Sequence, residues 1–235
     1  MSPQQLLFGL TAEHPCSYLP QQQERLVFTL PEQPLDTDLY QQLMAYNFRR
    51  TGDQLYRPYC LQCQACQASR VLVNEFQLST SQRKLLKRAE RADWHWKFCP
   101  PDTVAAYYPL YQQYISEIHA DGVMYPPSEE QLASLLHCSW LNISVIEQYQ
   151  GAELVGVILL DPMKDGYSAV YSFYKPDTEL ALGTLAILAT LFHSQKQQLP
   201  FLYLGYFIAD CTKMAYKANF RPQQRLIAGK WQSFD

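Results

Sequence analysis

Between Ile143 and Tyr174 three apolar runs follow one another with only tight turns between them: ISVIEQY (143–149), LVGVILLD (154–161) and YSAVYSFY (167–174). Each is rich in β-branched and aromatic residues, and the breaks at Gln150-Gly151 and Lys164–Gly166 carry turn chemistry. The stretch therefore predicts three consecutive strands in a meander. On either side the period changes. TVAAYYPLYQQYISEIHADG has aromatic residues three to four apart, and SEEQLASLLHCSW opens with Ser128 as an N-cap followed by two acids, so two helices lead in. After the meander, GTLAILATLFHSQKQQ is a helix apolar enough to be largely buried, PFLYLGYFI (200–208) is a strand, and DCTKMAYKANF begins a further helix. This order places the second half of the chain in the α/β (α+β) class, around a central mixed sheet.

The best internal boundary is CPPDT (99–103), where two prolines interrupt any element. The 235 residues then divide into a smaller N-terminal domain, 1–100, and a domain of 103–235, each large enough for its own core. Before the prolines lie three cysteines at an even spacing of three (Cys60, Cys63, Cys66), a strand-like run RVLVNEF (70–76) and the segment STSQRKLLKRAERADWHW. That segment begins with capping residues and reads as a helix. Leu85, Leu86 and Ala89 form its apolar stripe, and Arg83, Lys84, Lys87, Arg88 and Arg91 its basic face.

A net charge of −3 conceals a strong asymmetry: residues 49–97 hold ten Lys/Arg against four acids, whereas residues 98–209 hold three against eleven. A second basic block, five against two, closes the chain at 210–235. Two separate basic blocks in an acidic chain suit a phosphate-rich partner, the plainer alternative being solvated faces. No apolar run reaches the length of a membrane span, and the N-terminus lacks a secretory pattern. The expected location is cytoplasmic, where the seven cysteines would be reduced, metal-bound or catalytic rather than paired.

Helix–helix–β–β–β–helix–β–helix is similar to the order of the GCN5-type N-acetyltransferases, in which a glycine-rich loop before the central helix cradles a pyrophosphate. The expected signature is Gln or Arg, two residues, Gly, one residue, then Gly or Ala. Around Gly183 the outer positions are Leu180 and Leu185, so both fail. The order fits acyl transfer from a donor other than acetyl-CoA. A coenzyme A-dependent N-acyltransferase is a rival that this failure argues against. A non-enzymatic RNA-binding or redox-sensing module is another, and it leaves the acyltransferase order unexplained.

HPCSYLP (14–20), NFRRTGDQLYRPYCLQCQACQASRV (47–71), HADGVMYPP (119–127), AVYSFYKPD (169–177), LGTLAIL (182–188) and LYLGYFIADCTKMAYKANFRP (202–222) together resemble the arginyl-tRNA–protein transferase family. The resemblance runs from about residue 8 to 231, and the compact length and cysteine triple are similar to the bacterial branch that moves leucine. It implies transfer of leucine from leucyl-tRNA to the α-amine of proteins beginning with Asp or Glu, marking them for N-end-rule degradation. Aminolysis of an activated ester needs an oriented amine, a stabilised oxyanion and a proton path, with no cofactor for the chemistry and no dominant catalytic residue.

The resemblance also directs attention to particular residues. Arg49 and Arg50 are the candidates for the acceptor's carboxylate. Tyr206 and Tyr216 could order the amine or the 3′-terminal base, with aromatic core as the equal alternative. Lys213 and Lys217, at i and i+4, are read as cations near the tRNA acceptor end or a substrate carboxylate, with solvated surface as the alternative. Tyr206, Lys213 and Tyr216 are the catalytic candidates, and Lys217, the basic helix and Arg221 the contacts to tRNA phosphates. Cys211 is assigned to packing. Cys16, in HPCSYLP, is the natural fourth partner for Cys60, Cys63 and Cys66. Four thiolates suit a structural zinc or an iron–sulfur cluster, and reduced, partly buried thiols are the alternative.

Overall fold

The computed structural model describes residues 6–30 and 34–235. The first third of the chain contributes β1 (Phe8–Leu10), β2 (His14–Pro15), β3 (Gln23–Glu24), β4 (Leu26–Thr29), α1 (Thr37–Met44), β5 (Arg49–Thr51), β6 (Gln54–Pro58) and β7 (Gln67–Leu72). Then come α2 (Thr80–Arg91), β8 (Trp94–Cys99), α3 (Val104–Ile118) and α4 (Glu129–Leu136). The expected meander follows as β9 (Ser144–Gln150), β10 (Glu153–Met163) and β11 (Gly166–Tyr174), then α5 (Leu182–Lys196), β12 (Phe201–Phe207), α6 (Thr212–Ala215), β13 (Gln223–Ile227) and β14 (Lys230–Phe234). The protein is a mixed α/β structure.

Among the described residues one large mixed sheet dominates, in the order β14-β13-β7-β12-β11-β10-β9-β8. All its pairings are antiparallel except β11 with β12, the pair that α5 connects. A smaller sheet, β1-β4-β6-β5, stands beside it. Period-two alternation explains the layering. On β10, Ile158 and Leu160 join the core beneath α5, whereas Val157 and Leu159 join the core beneath α3 and α4. α5 is buried almost all round, as its composition predicts, its residues divided between the first of these cores and a smaller cluster with Ala89, Val155 and Leu180. Ser128 caps α4 in a full capping box with Gln131, as its position predicts.

Two local readings change. The helix expected across STSQRKLLKRAERADWHW stops at Arg91, where Asp93 takes a left-handed backbone (φ 54°), and the remainder is strand β8. Trp94, Trp96 and Phe98 alternate with exposed His95 and Lys97, so a period of two wins once three large rings can pack against the α5 core. The final helix is only α6, followed by a 3₁₀ turn at Tyr216–Asn219. That change of pitch removes the shared helical face of Lys213 and Lys217.

The large sheet also draws on both sides of the proline pair at 99–103. β7 lies between β12 and β13, with Ala68 opposite Tyr206 and Val71 opposite both Leu202 and Gln223, while β8 forms the far edge. A third core, from Tyr40, Leu43, Phe48 and Leu55 with Leu141, Met163 and Tyr203, seals the small sheet onto the large one.

Candidate active site

The site lies where β11 and β12 part. They pair only over Gly166–Ser168 and Phe201–Tyr203; beyond that β11 stays with β10 and β12 turns to β7. Both strands are irregular at the parting point. The β10 register passes from Ala169 to Tyr171, leaving Val170 as an extra residue, and the β7 register passes from Tyr203 to Gly205, leaving Leu204. Such bulges bend a strand and free backbone from its ladder. Gly205 then needs φ +74°, a conformation that favours glycine.

The fork encloses a recess of about 100 Å³. Its walls are Ser168, Ala169, Val170, Leu204 and Gly205 from the two strands, with Arg49, Arg50, Tyr40, Met214 and Lys217 brought in from other elements. No acidic residue is among the described lining. Tyr18, Tyr56 and Tyr206 line both this recess and a far larger cleft of about 890 Å³, which runs past Leu26, Phe28, Arg57 and the four N-terminal cysteines.

Adjacent residues on a strand face opposite ways, and Arg49 and Arg50 show the consequence. Arg50 reaches inward to Asp161, at 2.7 Å from Nη2 and 2.9–3.0 Å from Nε, and its Nη1 donates to the Gly52 carbonyl. The Tyr40 hydroxyl donates to the same carboxylate at 3.1 Å. Burial opposes the Arg50 charge, and the Asp161 carboxylate more than restores it. Arg49 is equally buried but differently met. One Nη1–H donates to the Phe48 carbonyl at 2.6 Å, while Nε and Nη2 have no hydrogen-bond partner. Its guanidinium sits 5.5 Å from the Tyr206 ring centroid. Among the described residues this buried guanidinium has no carboxylate partner, so two of its nitrogens keep donors unused.

Lys217 is also interior, only 7% exposed, with Nζ 2.6 Å from the Tyr206 carbonyl oxygen and 3.6 Å from the Met214 sulfur. Burial and then the Arg49 charge pull its ammonium down to about 7. Tyr206 donates its hydroxyl to the Asn47 carbonyl at 2.8 Å, and burial pushes its own ionisation well up. Asn47, in a left-handed conformation, also donates to the Cys66 carbonyl and accepts from the Ala68 amide. One residue thus ties the end of α1 to the cysteine segment and to β7.

Cys16, Cys60, Cys63 and Cys66 are all half-buried free thiols bordering the large cleft. Burial first, then Cys16, Cys60 and Cys63, push the Cys66 thiol up to about 12. The four are therefore neighbours of the right chemical kind for a soft metal. As placed, however, no group of three or more His, Cys, Asp or Glu among the described residues is arranged to hold one.

The other sequence-predicted residues lie apart. Arg83, Lys84, Lys87, Arg88 and Arg91 are exposed on α2, with Leu85 and Leu86 half-buried beneath, so the basic face and apolar stripe coexist as the pattern requires. Arg221 is exposed and bonds the carbonyls of Ala218 and Asp235. Lys213 pairs with Asp121 at 3.5 Å on the surface, and Tyr216 is exposed and absent from the described walls of both cavities. Of the predicted residues, Arg49, Arg50, Tyr206 and Lys217 share the recess, and the four cysteines border the cleft beside it. Tyr18 and Tyr56 also line the recess; they stand inside HPCSYLP and QLYRPYC, where the sequence offers a signal for them. Asp161 had a signal too, a lone carboxylate closing the apolar run LVGVILL.

The large cleft thus opens onto a cationic recess at a strand fork, the concave kind of surface that suits a ligand. The arginine-tRNA-protein transferase family supplies two matching models, for its N terminus over residues 14–84 and its C terminus over residues 106–227. The chain belongs to that family. It is 41% identical over 229 residues to an aspartate/glutamate leucyltransferase of Vibrio cholerae serotype O1, covering 97% of each chain. It is 44% identical over 226 residues to the protein of that name from Pseudoalteromonas atlantica, covering 96% of each. Among solved structures, L-PGS from Bacillus licheniformis resembles it at 12% identity and a TM-score of 0.49, over 71% of this chain and 50% of that one. Among the described residues no helix is long and apolar enough to cross a membrane.

Proposed function

We propose that this chain transfers leucine from leucyl-tRNA to the N-terminal α-amine of proteins beginning with Asp or Glu, so marking them for N-end-rule degradation. The relatives' shared name supports donor residue and acceptor class. The observation that carries the reading is Arg49: a buried guanidinium with Nε and Nη2 unmatched suits the two oxygens of a carboxylate. Arg50 is spent on Asp161, so of the two it is Arg49 that would hold the acceptor side chain.

In this reading the large cleft takes the aminoacylated end of the tRNA, with Leu26 and Phe28 among its apolar walls. The acceptor's first residue enters the recess, and Tyr206, shared by both spaces, stands where ester and amine meet. The amine attacks the ester carbonyl, and the ribose oxygen departs with a proton. The exposed cations of α2, with Arg221, lie outside the cleft and serve the tRNA phosphates. Lys213, in α6, and Tyr216, just after it, lie on the surface outside the described walls of both cavities, away from the reacting atoms.

The division at 99–103 belongs to this proposal as a functional one. Residues 1–100 bring Arg49, the cysteines and the basic helix, and 103–235 bring the fork, whose order of elements we take as acetyltransferase-like. A charged-tRNA donor implies the cytoplasm. For the cysteines the proposal is a zinc or iron–sulfur clip that braces the cleft wall, supported by donor chemistry alone; no chemical step is routed through it.

A transfer assay tests the whole reading, using tRNA charged with labelled leucine or arginine and peptides beginning with Asp, Glu, Lys or Ala. Leucine entering only the Asp and Glu peptides is expected. Arginine in its place would change the donor and keep the mechanism. No transfer from either donor would overturn the enzyme.

A further inference from the structure

We propose that Lys217 is the base that takes a proton from the acceptor's α-ammonium, presenting the free amine to the ester beside Arg49. The inference rests on the transfer reaction proposed above.

Its starting point is a lysine in a place where an ammonium is poorly served. Lys217 Nζ has three positions besides its carbon. The Tyr206 carbonyl takes one at 2.6 Å and the Met214 sulfur offers a weak acceptor for another at 3.6 Å. No carboxylate is among its partners or the described walls of the recess. An ammonium would bury a third N–H without a partner, whereas a neutral amine leaves a lone pair there. The charged and titratable groups around it act in both directions. Arg49, from β5, disfavours a second cation, while Cys211 and Cys66 favour one weakly. Tyr18, Tyr40, Tyr56 and Tyr206 line the same recess, and burial raises all four above their ordinary range, which keeps their hydroxyls neutral; Arg50, the other cation on its walls, is paired with Asp161. Burial is the larger influence on Lys217 and sets it near neutrality, at about 7.

A base of that strength matches its task, because a free α-ammonium has a pKa of about 7.7–8. The proton balance is simple. The acceptor ammonium gives one proton to Lys217 and becomes a neutral amine. Its nitrogen forms a bond to the ester carbonyl carbon, the bond from that carbon to the ribose oxygen breaks, and the amine's second proton leaves with that oxygen. Lys217 then returns its proton to solvent. Arg49 fixes the side-chain carboxylate in the same recess, so one residue selects the acceptor and another activates it.

The test is the pH dependence of leucine transfer to an Asp-initiated peptide by the wild type, Lys217→Met and Lys217→Arg. At pH 7 both variants are expected to lose up to about tenfold in kcat with acceptor KM changed less than about threefold, since only about a tenth of a peptide amine with a pKa of about 7.7–8 is neutral there. The deficit should shrink as the pH rises to 9, where the peptide amine is neutral without help. Arginine should fail like methionine, since it keeps a charge but cannot accept a proton. A role in packing alone would lower activity equally at every pH. Variant kcat within threefold of wild type at pH 7, or a deficit unchanged between pH 7 and 9, overturns the proposal while leaving the transferase reading intact. No transfer by the wild type removes both. Should the variants not fold, a nitrogen-15 titration of lysine-labelled wild type decides: one lysine Nζ losing its proton between pH 6 and 8 supports the assignment, and all lysines charged to pH 9 overturn it.

Discussion

Arg49 and Arg50 are neighbours in sequence, both buried, both on β5, and their surroundings could hardly differ more. Arg50, Asp161 and Tyr40 form a closed polar cluster in which the carboxylate receives bonds from guanidinium and hydroxyl alike. Arg49, Tyr206 and Lys217 form an open one, with two guanidinium nitrogens unmatched and a lysine that meets no carboxylate among the described residues. A satisfied buried network holds a fold together, and one with unused donors beside a cavity can take a ligand's oxygens. In the proposed reading the contrast separates architecture from site within two residues.

Substitutions should break the pair apart, first and most strongly at Arg49. Arg49→Met is expected to lower kcat/KM for an Asp-initiated peptide about 10³-fold, the usual consequence of losing one partner of a buried charged contact. Its urea unfolding free energy should stay unchanged or rise, because the variant removes unmatched polar atoms. Arg50→Met should behave oppositely, losing about 3–5 kcal/mol of stability because Asp161 is left buried without its cation. Its activity per folded molecule should persist. Equilibrium denaturation read beside steady-state transfer distinguishes the two.

A smaller effect sharpens the open side. The folded state depresses Lys217 while the unfolded chain keeps an ordinary lysine, so between about pH 7 and 9 the unfolded state binds more protons. Stability should therefore increase with pH across that window, by at most about 1.4 kcal/mol per unit, and the penalty is fully present below pH 7. Above pH 9 the raised Cys66 thiol works the other way, since only the unfolded chain then sheds that proton. Lys217→Met should flatten the rise seen in urea midpoints between pH 7 and 9. The smallest change lies far from the recess: Lys84→Gln with Lys87→Gln should weaken tRNA binding a fewfold and reduce its salt slope by about 1–2, leaving acceptor preference untouched.

Much of this arrangement is legible in the sequence. The meander, the buried α5 and the amphipathic α2 follow from periodicity, because each element's local preference agrees with its place in the core. The NFRR motif is equally visible, and strand alternation alone implies that its two arginines face opposite ways. Which of them finds a carboxylate depends on Asp161, 111 residues away, and no local pattern reveals that pairing. Lys217 is concealed for a different reason. KMAYK has helical spacing, but the chain tightens into a 3₁₀ turn after Ala215 and carries the lysine inward. The placing of β7 between β12 and β13, across the proline pair, is likewise a long-range event that local propensity does not encode.

The most direct test of the open recess as the carboxylate reader compares peptides identical but for an initial Asp or Asn, with wild type and Arg49→Met. The wild type should favour Asp over Asn by about 10³-fold in kcat/KM, and Arg49→Met should reduce that preference to within about tenfold, chiefly by losing Asp. A variant that remains folded and active yet retains the full preference would show that the carboxylate is read elsewhere.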